Sequence, residues 1–482
     1  MPYIRDNFEP PASHPKALWG LSLIYATFTL SLGVFLANLA LFLKSQSGMS
    51  DDQSFGITAA FISLSFTTPL LGGYLCDKFG FRNATTVGLA FSFFGMMCII
   101  LPGHFTLFLG LSLFLVGNAL CTPAIWSLVA MLYHKHDVRK ESGSTLFYML
   151  FNIGFLISNF CSGFIMEKLG YFTFFIFGAP LFVGFIAFLF MRGRFKTYAE
   201  IQTGERNYKG KDSHGIGILI VISILVTPVC YILLNYVTIN SILIWVTVVI
   251  SFLYLFKISR GLEPEEAKRL KAFMVLCIVG LAYLVIFSSE FDLLPVYAQG
   301  NIDRLIGGIE LPAGIVTSLD PAYCILIGFV YSALWIKLDK INKNPALPTK
   351  FAVGLIFASL GYLLLTLLVY THMASTFSIL WLLLVFLFFV SGELLVVPIG
   401  IAMAGKLSPE GKEGICMGIW NLMTGAAAVL LGYLADFTVV PATDTISQSN
   451  YAYMVVFAYI GVTVLLLGII MFFCRGFVKR LL

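Results

Sequence analysis

Four carboxylate side chains lie inside long apolar stretches of this 482-residue chain: Glu290, Asp292, Asp320 and Glu393. A charged side chain at the centre of a bilayer costs roughly 2.5–3.5 kcal/mol on insertion scales, and no Lys or Arg lies deep in the same stretches. Such carboxylates either carry a proton or meet a cation that comes and goes. The alternative for each one singly is a protonated acid bonded to a neighbouring carbonyl. Together they predict a site for protons or amines.

The apolar stretches themselves are membrane spans. Of all residues 59% are apolar and only 11% are charged, whereas about 25% are charged in an ordinary soluble protein. A spanning helix needs about 20 mostly apolar residues. Segmentation at charged and Gly/Pro/Asn clusters gives fourteen such spans, in groups of six, two and six. We therefore predict an all-α polytopic membrane protein with 14 transmembrane helices.

The order of these spans divides the chain into seven parts. They are a cytoplasmic N-terminus (1–16), an N-terminal six-helix bundle (17–191), a cytoplasmic loop (192–215), an extra helix pair (216–257), a cytoplasmic connection (258–271), a C-terminal six-helix bundle (272–474) and a cytoplasmic C-terminus (475–482). With both termini cytoplasmic, all but three of the 30 Lys and Arg residues fall on the cytoplasmic side, as the positive-inside rule requires. The exceptions are Lys44, Lys168 and Arg304. We expect a multi-pass protein of the cell inner membrane whose basic loops hold its topology and bind no nucleic acid.

Other motifs indicate what the chain does not do. Its nine Cys residues form no C-x-x-C pair, and its six His residues form no i, i+4 pair within a span, so a metal site or a metalloenzyme is not expected. A phosphate-binding G-x-x-x-x-G-K-[ST] loop is missing as well. We predict no enzyme activity and no cofactor, with a proton gradient as the energy source. Polar residues scattered over helices of both halves suit a transporter; a sensor or scaffold that no longer transports stays open.

Several stretches carry a resemblance to known families. "GGYLCDKFGFRNATTVG" (72–88) is similar to the loop motif of the major facilitator superfamily, with Gly73, Asp77, Gly80 and Arg82 in place. "FYMLFNIG" (147–154), "VYAQGNIDRLIGGIELPAGIVTSLDPAYCIL" (296–326) and "GELLVVPIGIAMAGKLSP" (392–409) resemble the proton-dependent oligopeptide transporter (POT) family within it. The resemblance implies two six-helix bundles and proton-driven peptide transport, with the first motif latching helices during alternation.

The resemblance also implies which residues hold a peptide. The family binds the peptide amine with an Asn on the fifth helix and a Glu on the tenth, which match Asn152 and Glu393. A third position, usually Asn, reads Asp320 in "SLDPAY", which adds an ionisable acceptor. Tyr148 belongs to the fifth-helix motif, and Trp420 in "GIWNLMTG" (418–425) matches a family Trp.

Two departures affect the other end of the substrate. The first-helix motif Glu-x-x-Glu-Arg of the family falls at Tyr25, Phe28 and Thr29, and a fourth-helix Lys is replaced by Thr122. Losing both cations removes charge-assisted donors to a substrate carboxylate, each worth roughly 1.5–3 kcal/mol. We therefore expect a solute with a positive group and no obligatory carboxylate, such as a modified peptide, an amino-amide, a polyamine-like metabolite or a drug-like amine.

Alternatives stay open at this point. Neutral donors on Tyr25, Thr29, Tyr148 and Thr122 are an alternative way to hold a peptide carboxylate, and a siderophore-like metabolite is a third option. For proton coupling we predict Glu290 or Asp292, with Glu393 shared between proton and substrate. Import and export are both compatible with the sequence, and a monomer is expected.

Overall fold

The chain folds almost entirely into long helices. The computed structural model describes residues 13–49, 51–133, 137, 139–195, 212–291, 293–409, 412–438 and 445–481. Thirteen segments of this described chain are long and apolar enough to cross a membrane. The third span is a further 19-residue helix, Phe81–Ile99. It is less apolar because its first turn contains Arg82 and Asn83. These helices confirm the predicted all-α membrane architecture. Helices suit a bilayer because they satisfy their backbone hydrogen bonds internally.

The N-terminal bundle occupies the first six spans. Its helices are α1 (Lys16–Ser47), α2 (Asp51–Thr67), α3 (Pro69–Phe79), α4 (Phe81–Ile99), α5 (His104–Ala130), α6 (Arg139–Leu169) and α7 (Thr173–Met191). Helices α2 and α3 make one span that is interrupted at Thr68, because Pro69 has no backbone N–H to continue the ladder. Helix α1 packs along α6, and α4 packs along α5.

The extra pair is formed by α8 (Asp212–Asn235) and α9 (Val237–Ser259). Helix α8 packs on α4 and α5 of the N-terminal bundle. The Asn240 side chain of α9 donates a 2.7 Å hydrogen bond to Ser63 Oγ of α2. The pair begins at Asp212, four residues before the predicted boundary.

The C-terminal bundle repeats the plan of the first. Its helices are α10 (Pro264–Ser289), α11 (Leu293–Asn301), α12 (Leu319–Lys340), α13 (Leu347–Thr371), α14 (Trp381–Leu407), α15 (Glu413–Ala435) and α16 (Ile446–Lys479). Helices α10 and α11 form one span that breaks after Ser289, so Glu290 lies at the break. Helix α9 of the extra pair also packs on α10 and α15, and it therefore touches both bundles.

Short strands occupy the connections of the C-terminal half. Strand β1 (Ile302–Asp303) pairs in parallel with β4 (Phe377–Ser378), and β2 (Leu305–Ile306) pairs antiparallel with β3 (Ile309–Glu310). The two glycines between β2 and β3 both have positive φ, 59° and 85°, which is what a tight two-residue hairpin turn requires. These strand pairs fix the position of the segment that connects α11 to the first turn of α12, which contains Asp320.

The two bundles meet along α3 with α15 and along α6 with α12. At the first contact the helices approach so closely that a Cβ at Gly73 would clash with the backbone oxygen of Gly414, and one at Gly418 would lie 2.6 Å from Leu70 Cα. Small residues such as Gly414 and Gly418 permit this approach.

The loop motif lies beside that contact. Gly80, between α3 and α4, has a φ of 97°, which glycine adopts most readily. Arg82 Nε donates a 3.1 Å hydrogen bond to the Phe195 carbonyl, and a Cβ at Gly414 would lie 2.5 Å from Asp77 Oδ1. The motif thus contacts both bundles, and its role in conformational change stays a prediction.

Candidate functional site

A cavity of about 110 Å³ lies between the two bundles. Both bundles contribute polar side chains to its lining. They are Tyr25, Ser65, Asn118, Thr122, Tyr148, Asn152, Asn159, Asp320, Asn421 and Thr424. Six of the seven residues predicted to bind the substrate lie there, and the seventh, Glu393, lies behind the surface. A largely apolar cavity with a few convergent polar groups is the usual form of a small-molecule site.

The N-terminal wall carries a chain of neutral hydrogen bonds. The Tyr25 hydroxyl donates to Thr122 Oγ1 at 3.2 Å, and Thr122 donates to Asn118 Oδ1 at 2.8 Å. The Asn118 amide in turn donates to the Ser65 carbonyl at 2.5 Å. These groups bind one another across α1, α5 and α2, so the wall is polar without being charged.

Rings and a hydroxyl occupy the positions of the first-helix charged motif. Phe28 is fully buried between Tyr25 and Phe114, with ring centroids 5.6 Å and 5.7 Å away. Thr29 Oγ1 donates a 2.8 Å hydrogen bond to the Phe151 carbonyl of α6. Packing of α1 against α5 and α6 therefore replaces the electrostatics that the family resemblance implies at these positions.

The C-terminal wall carries the carboxylates. Asp320 lies in the first turn of α12 and Glu393 in α14, and both are buried. Oxygen atoms of these two side chains and the sulfur of Cys324 lie within 4.8 Å of one another. Cys324 Sγ contacts Asp320 Oδ1 at 3.6 Å. Two negative charges this close repel strongly, and a proton or cation between them relieves the repulsion.

One hydrogen bond links the two walls. The Tyr148 hydroxyl of α6 donates to Glu393 Oε1 of α14. The other oxygen of Glu393, Oε2, has no hydrogen-bond partner in the described part of the chain. Tyr148 lines the cavity and Glu393 does not, so a solute reaches Glu393 past Tyr148 or Asp320.

Glu290 is the most isolated of the buried acids. It is fully buried at the break between α10 and α11, and neither of its carboxylate oxygens has a hydrogen-bond partner among the described residues. Tyr283, about two turns earlier on α10 and equally buried, also has a hydroxyl without a hydrogen-bond partner among the described residues. Asp292, the other residue predicted to carry protons, lies outside the described residues.

Asn152 and Trp420 line the cavity, but each side chain also makes contacts within its own bundle. The Asn152 amide donates 2.8 Å to the Tyr148 carbonyl of its own helix. The Trp420 ring fills space left by Gly280 and Gly400, where a Cβ would collide with it, and the residue is 1% exposed. The ring therefore serves packing inside the C-terminal bundle as well as the cavity surface.

Sequence reasoning missed several lining residues. Asn118, Ser65, Asn159, Asn421 and Thr424 lie at the cavity. Asn118 precedes Thr122 by four residues, and Asn421 follows Trp420 directly, so a polar residue near a predicted contact was the available signal. Cys324 was missed too, although it follows Asp320 at i+4, on the same helix face.

A charged cluster outside the membrane belongs to the N-terminal half. Arg139 Nη2 forms a 2.7 Å ion pair with Asp137, and the Arg139 guanidinium also donates to the Ser13 carbonyl. Burial alone would raise the pKa of Asp137, but hydrogen bonds and charge from Arg139 outweigh it and lower that pKa. Burial and the same Arg139 charge lower the pKa of His14, whose Nδ1 lies 2.9 Å from the Tyr133 hydroxyl.

Comparison with known proteins identifies the architecture. A mutant of the peptide transporter POT, crystallised in complex with alafosfalin, superposes with a TM-score of 0.77 at 23% identity, covering 98% of this chain and 97% of that chain. The likeness confirms the predicted fold of two six-helix bundles with an extra helix pair between them.

Two curated relatives cover nearly the same length. The uncharacterized transporter YclF of Bacillus subtilis is 29% identical over 442 residues, which are 90% of this chain and 87% of that protein. Dipeptide and tripeptide permease B of Salmonella typhimurium is 27% identical over 452 residues, 92% and 91% of the respective chains.

The model of the POT family matches residues 82–455. This range contains the helices that carry Asn118, Tyr148, Asn152, Asp320 and Glu393. Since it covers most of the sequence, and since thirteen described segments suffice to cross a membrane, the chain is a multi-pass transporter of the inner membrane that belongs to the POT family.

Proposed function

We propose that this chain moves a small, amine-bearing, peptide-like solute across the inner membrane by proton-coupled alternating access. The observation that carries the proposal is Asp320, a buried carboxylate at the cavity surface that faces a neutral wall. The printed substrates of one relative, dipeptides and tripeptides, support a peptide-like solute. The chain acts without a catalytic step or cofactor, as a monomer in the lipid bilayer.

The amine end of the solute lies at the C-terminal wall. Its ammonium group binds Asp320 directly and gains a second negative group in Glu393, close behind. Asn152 and Tyr148 border the same space. A charge-assisted hydrogen bond to a buried carboxylate is worth roughly 1.5–3 kcal/mol, which is about 10- to 150-fold in affinity.

The other end of the solute meets the N-terminal wall. Tyr25, Thr122 and Asn118 already bind one another, and ring faces of Phe151 and Trp126 lie beside them. Such a wall accepts a neutral or apolar group better than a carboxylate, which lacks a cationic partner there. A blocked or amidated carboxyl end therefore suits this cavity.

Proton coupling follows from the same carboxylates. Glu290 lies at the break of the ninth span, between α10 and α11, with two unpartnered oxygens, and discontinuous helices of transporters commonly hold coupling groups. Protonation of Glu393 weakens it as an acceptor for Tyr148, and this hydrogen bond joins the two bundles. A proton or an ammonium at the acids therefore changes a contact that alternation must break.

A binding experiment tests the amine end. Thermal shifts of the purified chain are measured with a dipeptide, its N-acetylated form, its C-amidated form and a polyamine. We expect stabilisation by the free and amidated forms and its loss on N-acetylation. Asp320→Asn should weaken the effective ligands about 10- to 150-fold, whereas Glu310→Gln, in the exposed β3 strand, should not. Strong stabilisation by the N-acetylated peptide would contradict the proposal.

The same set of ligands also tests whether the solute needs a free carboxylate. If the unmodified dipeptide binds much better than its amide, neutral donors of the N-terminal wall hold its carboxylate, and the preference for a carboxylate-free solute is wrong. Uptake into vesicles with and without an imposed pH gradient then tests coupling for whichever ligand binds.

A further inference from the structure

Asp320, Cys324 and Glu393 have a geometry that the transport of an amine does not explain. Asp320 and Cys324 are one turn apart on α12, at i and i+4, so their side chains leave the same face. Glu393 reaches them from α14, and one ligand atom of each residue lies within 4.8 Å of the others. The set combines a thiol with two carboxylates.

The spacing fits a tetrahedral metal ion. With metal–sulfur and metal–oxygen bonds of about 2.3 Å and about 2.0 Å, tetrahedral geometry separates a sulfur from an oxygen ligand by roughly 3.5 Å. Cys324 Sγ and Asp320 Oδ1 are 3.6 Å apart. These two atoms therefore need little movement to share an ion, and the Glu393 oxygen lies within 4.8 Å of both.

An unpartnered atom points to a missing ligand. Glu393 is 0% exposed; its Oε1 accepts from Tyr148, and apart from the facing carboxyl of Asp320 no described group is a hydrogen-bond partner for its Oε2. A buried carboxylate oxygen without a partner costs free energy that a bound cation would recover. The Tyr148 hydroxyl has the place of an outer-shell donor, which orients a metal-bound carboxylate.

We propose that Asp320, Cys324 and Glu393 form a binding site for a divalent ion of the zinc class. Thiolate selects such ions over calcium and magnesium, which prefer six or more oxygen ligands. Asp320 lines the cavity, so the ion enters from there and its fourth position stays open to water. Because the ion uses the same carboxylates as the amine of the proposed solute, it occupies the site in competition with that solute.

Cadmium titration of the purified full-length chain tests the proposal without any transport measurement. A cadmium–thiolate bond gives an ultraviolet charge-transfer band, and zinc in large excess should reduce this band by competition for the same ligands. We expect one strong binding event in the unaltered chain and its loss in Cys324→Ser. Cys230→Ser, which removes another buried thiol on the peripheral α8, should keep it.

Two further variants test whether the loss of cadmium binding in Cys324→Ser comes from the missing ligand and not from misfolding. Asp320→Asn and Tyr148→Phe retain the thiol; the first should abolish tight binding, and the second should weaken it roughly 10- to 100-fold, as loss of an outer-shell partner does. All variants are compared by gel filtration. An unchanged cadmium band in Cys324→Ser, or unchanged affinity in Asp320→Asn, would overturn the site.

The metal site and the proposed solute can fail separately. Cadmium absorption that responds to Cys324→Ser supports the site even if no amine binds. Conversely, Cys324→Ser should leave amine binding within about twofold, because the ammonium uses the carboxylates rather than the thiol. Loss of amine binding in that variant would contradict this division of roles.

Discussion

The two walls of the cavity handle buried polar groups in opposite ways. On the N-terminal wall, Tyr25, Thr122 and Asn118 bind one another in a continuous chain. Behind the C-terminal wall, Glu290 and one oxygen of Glu393 have no donor partner in the described structure. A network whose donors and acceptors pair with one another stabilises one arrangement. A buried acid without a partner is instead stabilised when a proton or a cation binds to it.

This difference assigns the walls different tasks. In the proposed function, protons and cations bind at the C-terminal acids, whose charge changes between the empty and the occupied state. The N-terminal wall, in the same proposal, accepts the uncharged part of the solute. Variants that remove a charge from the C-terminal side or add one to the N-terminal wall therefore test this difference directly.

The largest effect is expected from Glu290→Gln. The variant keeps the size of the side chain and removes its capacity to carry a proton. We expect pH-driven accumulation in vesicles to be lost while ligand affinity, measured by thermal stabilisation, remains within about threefold, because Glu290 does not line the cavity. Ser359→Ala, also buried on the C-terminal side, serves as the control. Intact accumulation in Glu290→Gln would remove this residue from proton coupling.

Thr122→Lys places a cation on the neutral wall. The new ammonium lies across the cavity from Asp320 and can hold a substrate carboxylate, a contact of roughly 1.5–3 kcal/mol. We expect the ratio of affinities for a dipeptide and its amide to rise about 10- to 100-fold, as measured by competition binding. Thr122→Gln, similar in length and neutral, should leave the ratio unchanged. If both variants behave alike, charge on this wall does not set the preference.

The elements of the fold could be predicted from the sequence because the bilayer imposes them. Long apolar runs can satisfy their backbone only as helices, so the spans and the six, two, six grouping follow from composition. The resemblance around Asn152 and Glu393 then gave the bundle arrangement. The break in the ninth span could not be located, since apolar residues continue on both sides of "SSEFDLLP" (288–295).

The site was harder to predict, because it depends on which face each side chain takes. Asn118 and Ser65 meet only through the packing of α2 on α5, and no short sequence pattern marks that contact. Trp420 was predicted to bind the substrate, and its ring also fills the gap at Gly280 and Gly400. Cys324 looked like a small buried thiol, and only its distance from Asp320 suggests otherwise.

Tyr25→Phe tests the neutral chain with a smaller change. It removes the 3.2 Å hydrogen bond to Thr122 and keeps the ring stacked on Phe28. A neutral hydrogen bond contributes about 0.5–1.5 kcal/mol, so ligand affinity should fall roughly two- to tenfold and proton-driven accumulation should persist. Isothermal titration measures the affinity. A loss as complete as that of Glu290→Gln would show that the two walls are not functionally distinct.

The smallest effect is expected where the N-terminal half does use charge, at its cytoplasmic cluster. Arg139 holds the pKa of Asp137 below its ordinary value despite burial. A carboxyl whose pKa is lowered by folding stabilises the folded chain while it is ionised, and this contribution is lost as the pH falls through its titration range. Asp137→Asn should therefore cost about 1 kcal/mol or less at neutral pH, as near-surface ion pairs do, and should flatten the acid side of the stability curve.

Thermal unfolding in detergent between neutral and acidic pH measures both effects. His14 acts in the same direction, because burial and Arg139 lower its pKa, so protonation at lower pH favours the unfolded chain. The Asp137→Asn/His14→Gln double variant should lose more of the slope than either single variant. Ligand affinity should stay the same in all three, since a charge paired outside the membrane does not serve the cavity; a shift in affinity would mean that the cluster is coupled to the neutral wall through α5 and α6.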